Sequence, residues 1–265
     1  MNGKAIFSLT IGLVAWLACG TGRVLAFEEG YGGISGQFVL DGDIPKPMLL
    51  VQKGAVEEKV KDSAICAANN IEDESLVVDP ASKGIANIFV YLRTAPKIHP
   101  SLKVSKEKTV VFDQKGCHFI PHALLVRTDQ VVLVKSGDPV AHNTNTTPLR
   151  NTGKNEVVRA NDREGVEYPV KVPELQPIPV KCDFHTWMKA NWLILNHPYA
   201  AITDKQGKFQ LDKLPAGDYE FFVWHERKGY LSVGAPRGFK VTVKSDGSTD
   251  IGVKNIPVAS LQESK

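Results

Sequence analysis

The chain has 265 residues, of which 43% are hydrophobic and 23% charged, and its formal net charge is +3. This length and apolar content allow one elaborated domain or two small ones with a sizeable core. Lysine and arginine are interspersed with aspartate and glutamate along the whole sequence, whereas nucleic-acid binding requires a clustered basic face. We therefore expect no nucleic-acid partner.

The first 26 residues have the pattern of a signal peptide. Lys4 supplies a positive charge, the apolar run of residues 5–19 is too short for a membrane span, and cleavage is expected after Ala26. Cleavage removes Lys4 and Arg23 and no acid, so the formal net charge falls from +3 to +1. We expect a periplasmic or extracellular protein without a membrane span. A retained N-terminal anchor and a lipoprotein attached through Cys19 are the alternatives.

Short apolar runs separated by Gly, Pro, Asn and Asp predict an all-β fold. Their spacing is typical of a β-sandwich. A weak helical period over residues 54–68 predicts one helix. The predicted strands cover residues 34–40, 85–93, 108–112, 118–127, 130–135, 190–195, 208–211, 219–224 and 239–243.

The chain after the signal peptide divides into three segments. Residues 27–105 form a β-rich region, residues 106–197 contain a candidate metal motif, and residues 198–265 form a compact run of strands with frequent turns. The boundary near residue 198 is the clearest of these. The pattern leaves open whether the first segment is independent or adds strands to the second.

The cysteine count is informative because the protein is expected in an oxidising compartment. The chain has four cysteines, and loss of Cys19 with the signal peptide leaves Cys66, Cys117 and Cys182. An odd number of cysteines requires a separate role for one of them. Cys182 is followed by His185 and Met188 at metal-ligand spacing, so a disulfide between Cys66 and Cys117, with Cys182 on a metal, is our hypothesis.

The second segment contains a metal-ligand motif. Two residues separate Cys182 from His185, and two separate His185 from Met188. A tight loop after a strand can turn these three side chains onto one atom. Thiolate and thioether are soft ligands, so the set favours copper over magnesium, calcium or manganese. A blue-copper site needs a second histidine, and His142 is the best candidate.

These residues resemble the metal motif of the cupredoxin family, and the loop spacing is similar to that of amicyanin and, more loosely, plastocyanin. The resemblance implies a Greek-key β-sandwich that binds one type 1 copper ion through His142, Cys182, His185 and Met188. It implies that Asn143 hydrogen-bonds around the thiolate. It also implies that the ring edge of His185 lies near an apolar surface patch from which electrons leave.

The third segment resembles a different β-module. Residues 203–209, with the sequence Thr-Asp-Lys-Gln-Gly-Lys-Phe, and the Leu-Pro-Ala-Gly turn at residues 214–217 are similar to the carboxypeptidase regulatory-like, transthyretin-like module. The resemblance implies a small, structural or adhesive β-sandwich that allows contact with glycans. Together the two modules resemble bacterial exported proteins that join a plastocyanin-like domain to this module.

The expected function is single-electron transfer with a transient redox protein partner, without enzymatic activity. Two alternatives remain: a structural or carbohydrate-binding surface protein, and a copper delivery or storage protein. His118 and His122 have the same parity on one predicted strand and therefore share a face. A second metal at these two residues is a further alternative.

Overall fold

The computed structural model describes residues 30–262, and the predicted signal peptide lies outside these residues. The described part is almost entirely β, so the all-β prediction is confirmed. None of its helices has the length and apolar character needed to cross a membrane.

The strands and short helices of residues 30–262 follow one another along the chain in this order: β1 (Tyr31–Asp41), β2 (Leu49–Val51), α1 (Ser63–Cys66), β3 (Ile71–Glu72), β4 (Phe89–Tyr91), a 3-10 turn (Pro100–Leu102), β5 (Thr109–Lys115), β6 (His118–Ile120), β7 (Ala123–Arg127), β8 (Val131–Val134), β9 (His142–Thr146), β10 (Asn155–Val158), β11 (Val166–Pro169), β12 (Ile178–Lys181), β13 (Lys189–Leu195), β14 (Ala200–Ile202), β15 (Lys208–Pro215), β16 (Gly217–His225), β17 (Gly229–Tyr230), β18 (Gly238–Val243), β19 (Ser248–Pro257) and a 3-10 turn (Val258–Leu261).

The first β-sandwich carries the predicted metal motif. One sheet has the order β10-β9-β12-β13-β7 and the other has the order β11-β8-β5-β6. Apolar side chains of both sheets form one core, in which the ring of Trp192 lies 4.9 Å from that of Phe112 and 5.9 Å from that of Tyr168. Val132 and Val134 on β8 are fully buried while their neighbours on the strand are partly exposed, which is the period of two expected for a strand with one buried face.

The second β-sandwich combines strands from both ends of the chain. One sheet has the order β15-β1-β19, and the other has the order β14-β4-β16-β17, with β18 also paired to β16. Strands β1 and β4 from the first segment are central in these two sheets, so residues 198–262 do not complete this sandwich alone. The boundaries of the three segments remain a prediction, but the first segment adds its long strands to the third.

The two sandwiches share an apolar junction. Along β13, Trp192 and Ile194 belong to the first core, whereas Leu193 and Leu195 pack in a separate cluster with Phe89 and other residues of the second sandwich. Successive strand residues point to opposite faces, so β13 is buried on both. This explains the unbroken apolar run of residues 192–195.

Three local features differ from the sequence predictions. The predicted strand 118–127 is divided into β6 and β7 around Pro121, which has no N–H for a sheet hydrogen bond. The predicted helix 54–68 is reduced to α1, a single turn. The strands β9 and β19 were missed because they contain Asn, Asp or Gly, which are depleted in strands.

The predicted disulfide is confirmed. Cys66 in α1 is bonded to Cys117 in the turn between β5 and β6, with a Cα–Cα distance of 5.3 Å. Residues 52–70 contain no strand and only one helical turn. The disulfide therefore attaches an otherwise irregular segment, which we call the covering segment, to the first sandwich.

Two buried histidines are expected to make stability depend on pH. His197 and His225 are each 1% exposed, and burial lowers the pKa of each from 6.5 to about 4. Between pH 6.5 and pH 4 the unfolded chain therefore binds more protons than the folded protein does. The contribution of these two histidines to the free energy of unfolding is fully present above pH 6.5 and is lost as the pH falls toward 4. Between pH 7 and pH 5 the loss should be about 2 kcal/mol per histidine.

Denaturant unfolding at both pH values checks this expectation. Asparagine in place of each histidine keeps an acceptor for the N–H groups of Tyr199 and Arg227, which the two Nδ1 atoms now accept. The variant with both His197→Asn and His225→Asn should lose less free energy of unfolding between pH 7 and pH 5 than the parent. An equal loss of free energy of unfolding in the parent and the variant would show that His197 and His225 do not cause the pH dependence.

Candidate metal centre

Strand pairing brings the predicted ligands to one end of the first sandwich. β9 begins at His142, and β12 ends immediately before Cys182. The two strands are antiparallel neighbours, with Val180 opposite Thr146. The start of one strand therefore lies beside the end of the other, which places His142 and Cys182 together.

The loop after β12 is closed by its own backbone. The N–H of Cys182 donates to the carbonyl of Met188 at 3.1 Å, and the N–H of Met188 donates to the carbonyl of His185 at 2.9 Å. All three side chains are at least 98% buried, and Cys182 and Met188 belong to the first core. The three predicted ligands thus lie in one compact turn.

Asn143 connects β9 to this loop. Its side-chain oxygen accepts the N–H groups of Asp183 at 2.7 Å and Phe184 at 3.3 Å. Its own backbone N–H points at the sulfur of Cys182 from 3.5 Å, and the N–H of His185 does so from 3.4 Å. Asn143 therefore holds the loop in place. The two backbone N–H groups stabilise a negative charge on the sulfur, and the thiol form donates to the side-chain oxygen of Asn143 at 3.2 Å.

Three potential donor atoms converge inside this end of the sandwich. The two Nδ1 atoms of His142 and His185 are 2.9 Å apart, and the sulfur of Cys182 is 3.8 Å from Nδ1 of His185. All three donor atoms lie within 4.8 Å of one another. The three residues are no more than 1% exposed, so water has little access to the space between them.

A carboxylate fixes each histidine ring from its other side. Nε2 of His142 lies 2.8 Å from Oδ2 of Asp138, and Nε2 of His185 lies 2.9 Å from Oδ2 of Asp62. A carboxylate only accepts, so each Nε2 must carry a proton, and in a neutral ring Nδ1 is then a bare acceptor. Two bare acceptors 2.9 Å apart cannot hydrogen-bond to each other. They require a shared proton or a cation.

The electrostatics of the pocket favour a thiolate beside a positive charge. Burial opposes ionisation of Cys182, but hydrogen bonds with His142 and His185 and from the backbone N–H of Asn143 lower the pKa of the thiol to about 6. Burial also opposes protonation of His142, yet Asp138 and Cys182 raise the pKa of that ring above its ordinary value. The thiolate is the form of cysteine that binds metals.

The donor set is chemically suited to a soft or borderline metal ion. Two imidazole nitrogens and one thiolate are typical of copper and zinc sites. Bonds of about 2 Å to each nitrogen are compatible with the observed separation of the two rings. Among the described residues, a second close group contains Cys117, Asp138 and His142, but the disulfide removes the sulfur of Cys117 from consideration.

The expected exposure of His185 is wrong. Its side chain is fully buried, because Asp62 of the covering segment lies over Nε2 and Trp187 packs on the ring with centroids 5.3 Å apart. Sequence reasoning missed both carboxylates. Asp138 lies four residues before His142 in the sequence, so a local pattern was available to predict it. Asp62 is 123 residues from His185, and no local pattern connects the two.

The other candidate residues lie elsewhere. Among the described residues, His118 and His122 belong to no group whose donor atoms all lie within 4.8 Å of one another, and both lie near Glu74.

No family model matches the sequence, and no curated protein does. Solved structures give partial likenesses. The amicyanin of Paracoccus versutus has a TM-score of 0.28 and 10% identity, covering 40% of this chain and 96% of that one. A purple cupredoxin from Nitrosopumilus maritimus has a TM-score of 0.27 and 14% identity, covering 33% and 99%. A copper-containing nitrite reductase from Thermus scotoductus has a TM-score of 0.28 and 15% identity, covering 38% and 27%.

Proposed function

We propose that the protein is an exported mononuclear blue-copper protein that carries single electrons between redox partners and is not an enzyme. One observation carries the proposal. The Nδ1 atoms of His142 and His185 face each other at 2.9 Å beside the sulfur of Cys182, while carboxylates occupy both Nε2 atoms. This arrangement is stable with a cation between the donors.

Copper fits this set better than a hard cation does. Two histidines, one cysteine and a weak axial methionine form the blue-copper arrangement, and Met188 in the same turn is the axial candidate. Bound copper supplies a Cu(II)/Cu(I) couple. The chain holds the donors still during a change of charge, because Asp138 and Asp62 fix the two rings and Asn143 fixes the loop.

The disulfide supports export. Such bonds persist in oxidising compartments, and Cys66 and Cys117 are joined. We therefore place the protein in the periplasm or outside the cell. Its partner would be a redox protein that binds transiently through a small interface.

Copper delivery or storage is the second candidate function. It is favoured by the complete burial of His185 beneath Asp62, which leaves no ligand edge at the surface for electron transfer. The two functions differ in what happens to the metal: a carrier retains it through oxidation and reduction, whereas a delivery protein releases Cu(I) to an acceptor.

Redox cycling of the copper-loaded protein tests the proposed function. We expect ascorbate to bleach the visible band and ferricyanide to restore it over repeated cycles, with all the copper retained in the presence of a Cu(I) chelator. Loss of the copper to the chelator in the reduced state would instead support delivery.

Asp62 is expected to lower the reduction potential of the site. Asp62→Asn keeps an acceptor for Nε2 of His185 but removes a negative charge that favours Cu(II) over Cu(I). The potential should rise by roughly 40 mV, from an electrostatic change on the order of 1 kcal/mol. Protein-film voltammetry measures it.

Asp246→Asn is the matched control for this substitution. Asp62 has φ of 54° and Asp246 has φ of 57°, and asparagine tolerates this left-handed conformation as aspartate does. The control should leave the potential unchanged. Equal shifts in both variants would mean that Asp62 has no specific effect on the site.

A further inference from the structure

A second group of metal-ligating side chains lines a cavity beside the first site, and Met188 is also part of its lining. The cavity has a volume of about 480 Å³ and its lining includes Glu74, His118, His122 and Glu226. These residues come from the loop after β3, from β6, from the loop before β7 and from the turn after β16. The lining also includes Lys59 and Val60, so the cavity lies where the covering segment, the first sandwich and the second sandwich meet.

His122 has one nitrogen without a partner. Its side chain is 9% exposed, and its Nε2 lies 2.7 Å from Oε1 of Glu226. Nδ1 is buried and makes no hydrogen bond. Since Nε2 donates its proton to Glu226, Nδ1 of the neutral ring is a bare acceptor. A buried polar atom without a partner is costly.

The unpartnered atom faces a carboxylate. Oε2 of Glu74 lies 3.9 Å from Nδ1 of His122 and 3.1 Å from Nδ1 of His118. Two donors on a tetrahedral zinc ion with bonds of about 2 Å lie about 3.3 Å apart. The donor atoms of Glu74, His118 and His122 do not all lie within 4.8 Å of one another, so the partly exposed side chains of Glu74 and His118 must turn toward His122 to hold one ion. The side chains of Glu74 and His118 are 42% and 30% exposed, so an ion from solvent has access.

Glu226 is positioned to orient His122 as a metal ligand, because it accepts the proton of Nε2. Its second oxygen accepts from Nδ2 of Asn191 at 2.9 Å, so the carboxylate is held by two partners. A metal-ligating histidine usually donates its other N–H to such a group. The nearby Arg227 is paired with Asp73 at 2.9 Å and does not neutralise Glu74.

We propose that Glu74, His118 and His122 bind a second divalent cation of the zinc type, with Glu226 orienting His122. Two imidazoles and one carboxylate suit Zn²⁺ and leave a position for water. The site is independent of the copper proposal, because it shares no ligand with the first site. The bound ion would link the loop after β3 to the first sandwich, and through Glu226 to the second.

Zinc titration of the exported full-length protein carrying Cys182→Ala tests the proposal, since this variant lacks the thiolate of the first site. Calorimetry should show one Zn²⁺ bound per chain, and zinc should raise the unfolding temperature. Adding Glu74→Gln or His118→Ala should weaken zinc binding at least tenfold. Glu72→Gln, at an exposed position on β3, removes the same charge as Glu74→Gln and should leave the affinity unchanged.

Two results would overturn the proposal. One is the absence of zinc binding in the Cys182→Ala protein. The other is an equal affinity in the Glu74→Gln and Glu72→Gln variants, which would assign any binding to general negative charge or to the remaining histidines of the first site. Circular dichroism verifies that each variant is folded. Because the thiolate is absent throughout, neither result depends on whether the first site takes copper.

Discussion

The Cys182→Ser variant should lose the intense visible band of the copper-loaded protein and bind copper at least 100-fold more weakly. The band arises from charge transfer between thiolate and copper, and a serine hydroxyl at neutral pH provides neither the charge nor the soft donor. Losing an orienting group around a ligand already costs about 10–100-fold in metal affinity, so losing the ligand should cost more. Visible spectra and competition with a copper chelator measure the two effects.

Thr186→Ser is the control for this experiment. Thr186 is an exposed residue of the same loop, so its replacement should change neither the band nor the affinity. A Cys182→Ser protein with the spectrum of the parent would remove Cys182 from the ligand set.

Met188→Leu should keep the colour and raise the reduction potential. The thiolate and both imidazoles remain, whereas the weak axial donor is lost, and this loss favours Cu(I). The exchange conserves volume, so the folded state should lose less than about 1.5 kcal/mol. Voltammetry together with the visible spectrum gives both readouts. A lost band would contradict the axial assignment, and so would an unchanged potential.

Removing the disulfide should lower the free energy of unfolding by about 4 kcal/mol. Cys66 and Cys117 are separated by 51 residues, and a cross-link of this span greatly reduces the freedom of the unfolded chain. The variant with both Cys66→Ala and Cys117→Ala avoids burying new hydroxyl groups. Denaturant unfolding of the metal-free protein measures the change.

Reduction of the parent protein provides the comparison. The reduced parent and the double variant should lose similar stability, while the double variant should not respond to the reductant. A loss under about 1 kcal/mol in the double variant would show that the covering segment is held mainly by its other contacts.

The sequence predicted the β architecture because the apolar strands carry their own signal. The runs around Val132 and Trp192 alternate or continue as buried strands require, and both lie in the first core. The strand β9 gave no such signal, since its residues His142–Thr146 are polar. Asn143 in this strand makes hydrogen bonds to the loop after β12. A residue with such a role is polar, although strands usually carry apolar residues.

The pairing of strands that are far apart in the sequence could not be predicted from local sequence patterns. β1 pairs with β15 and with β19, both more than 160 residues away in the register Gln37↔Lys208 and Gln37↔Val253. A strand's own sequence marks its buried face but not its partners. The same limit applies to the site: the spacing of Cys182, His185 and Met188 is local, whereas the contact of Asp62 with His185 depends on the whole fold.

The visible and electron paramagnetic resonance spectra of the protein with Cu(II) added test the central claim most directly, because they report a bond between copper and the sulfur of Cys182. We expect one copper per chain, an intense visible band and a narrow copper hyperfine splitting. A colourless protein with a wide splitting would show that the thiolate does not bind the metal, and would contradict the assignment of a blue-copper site.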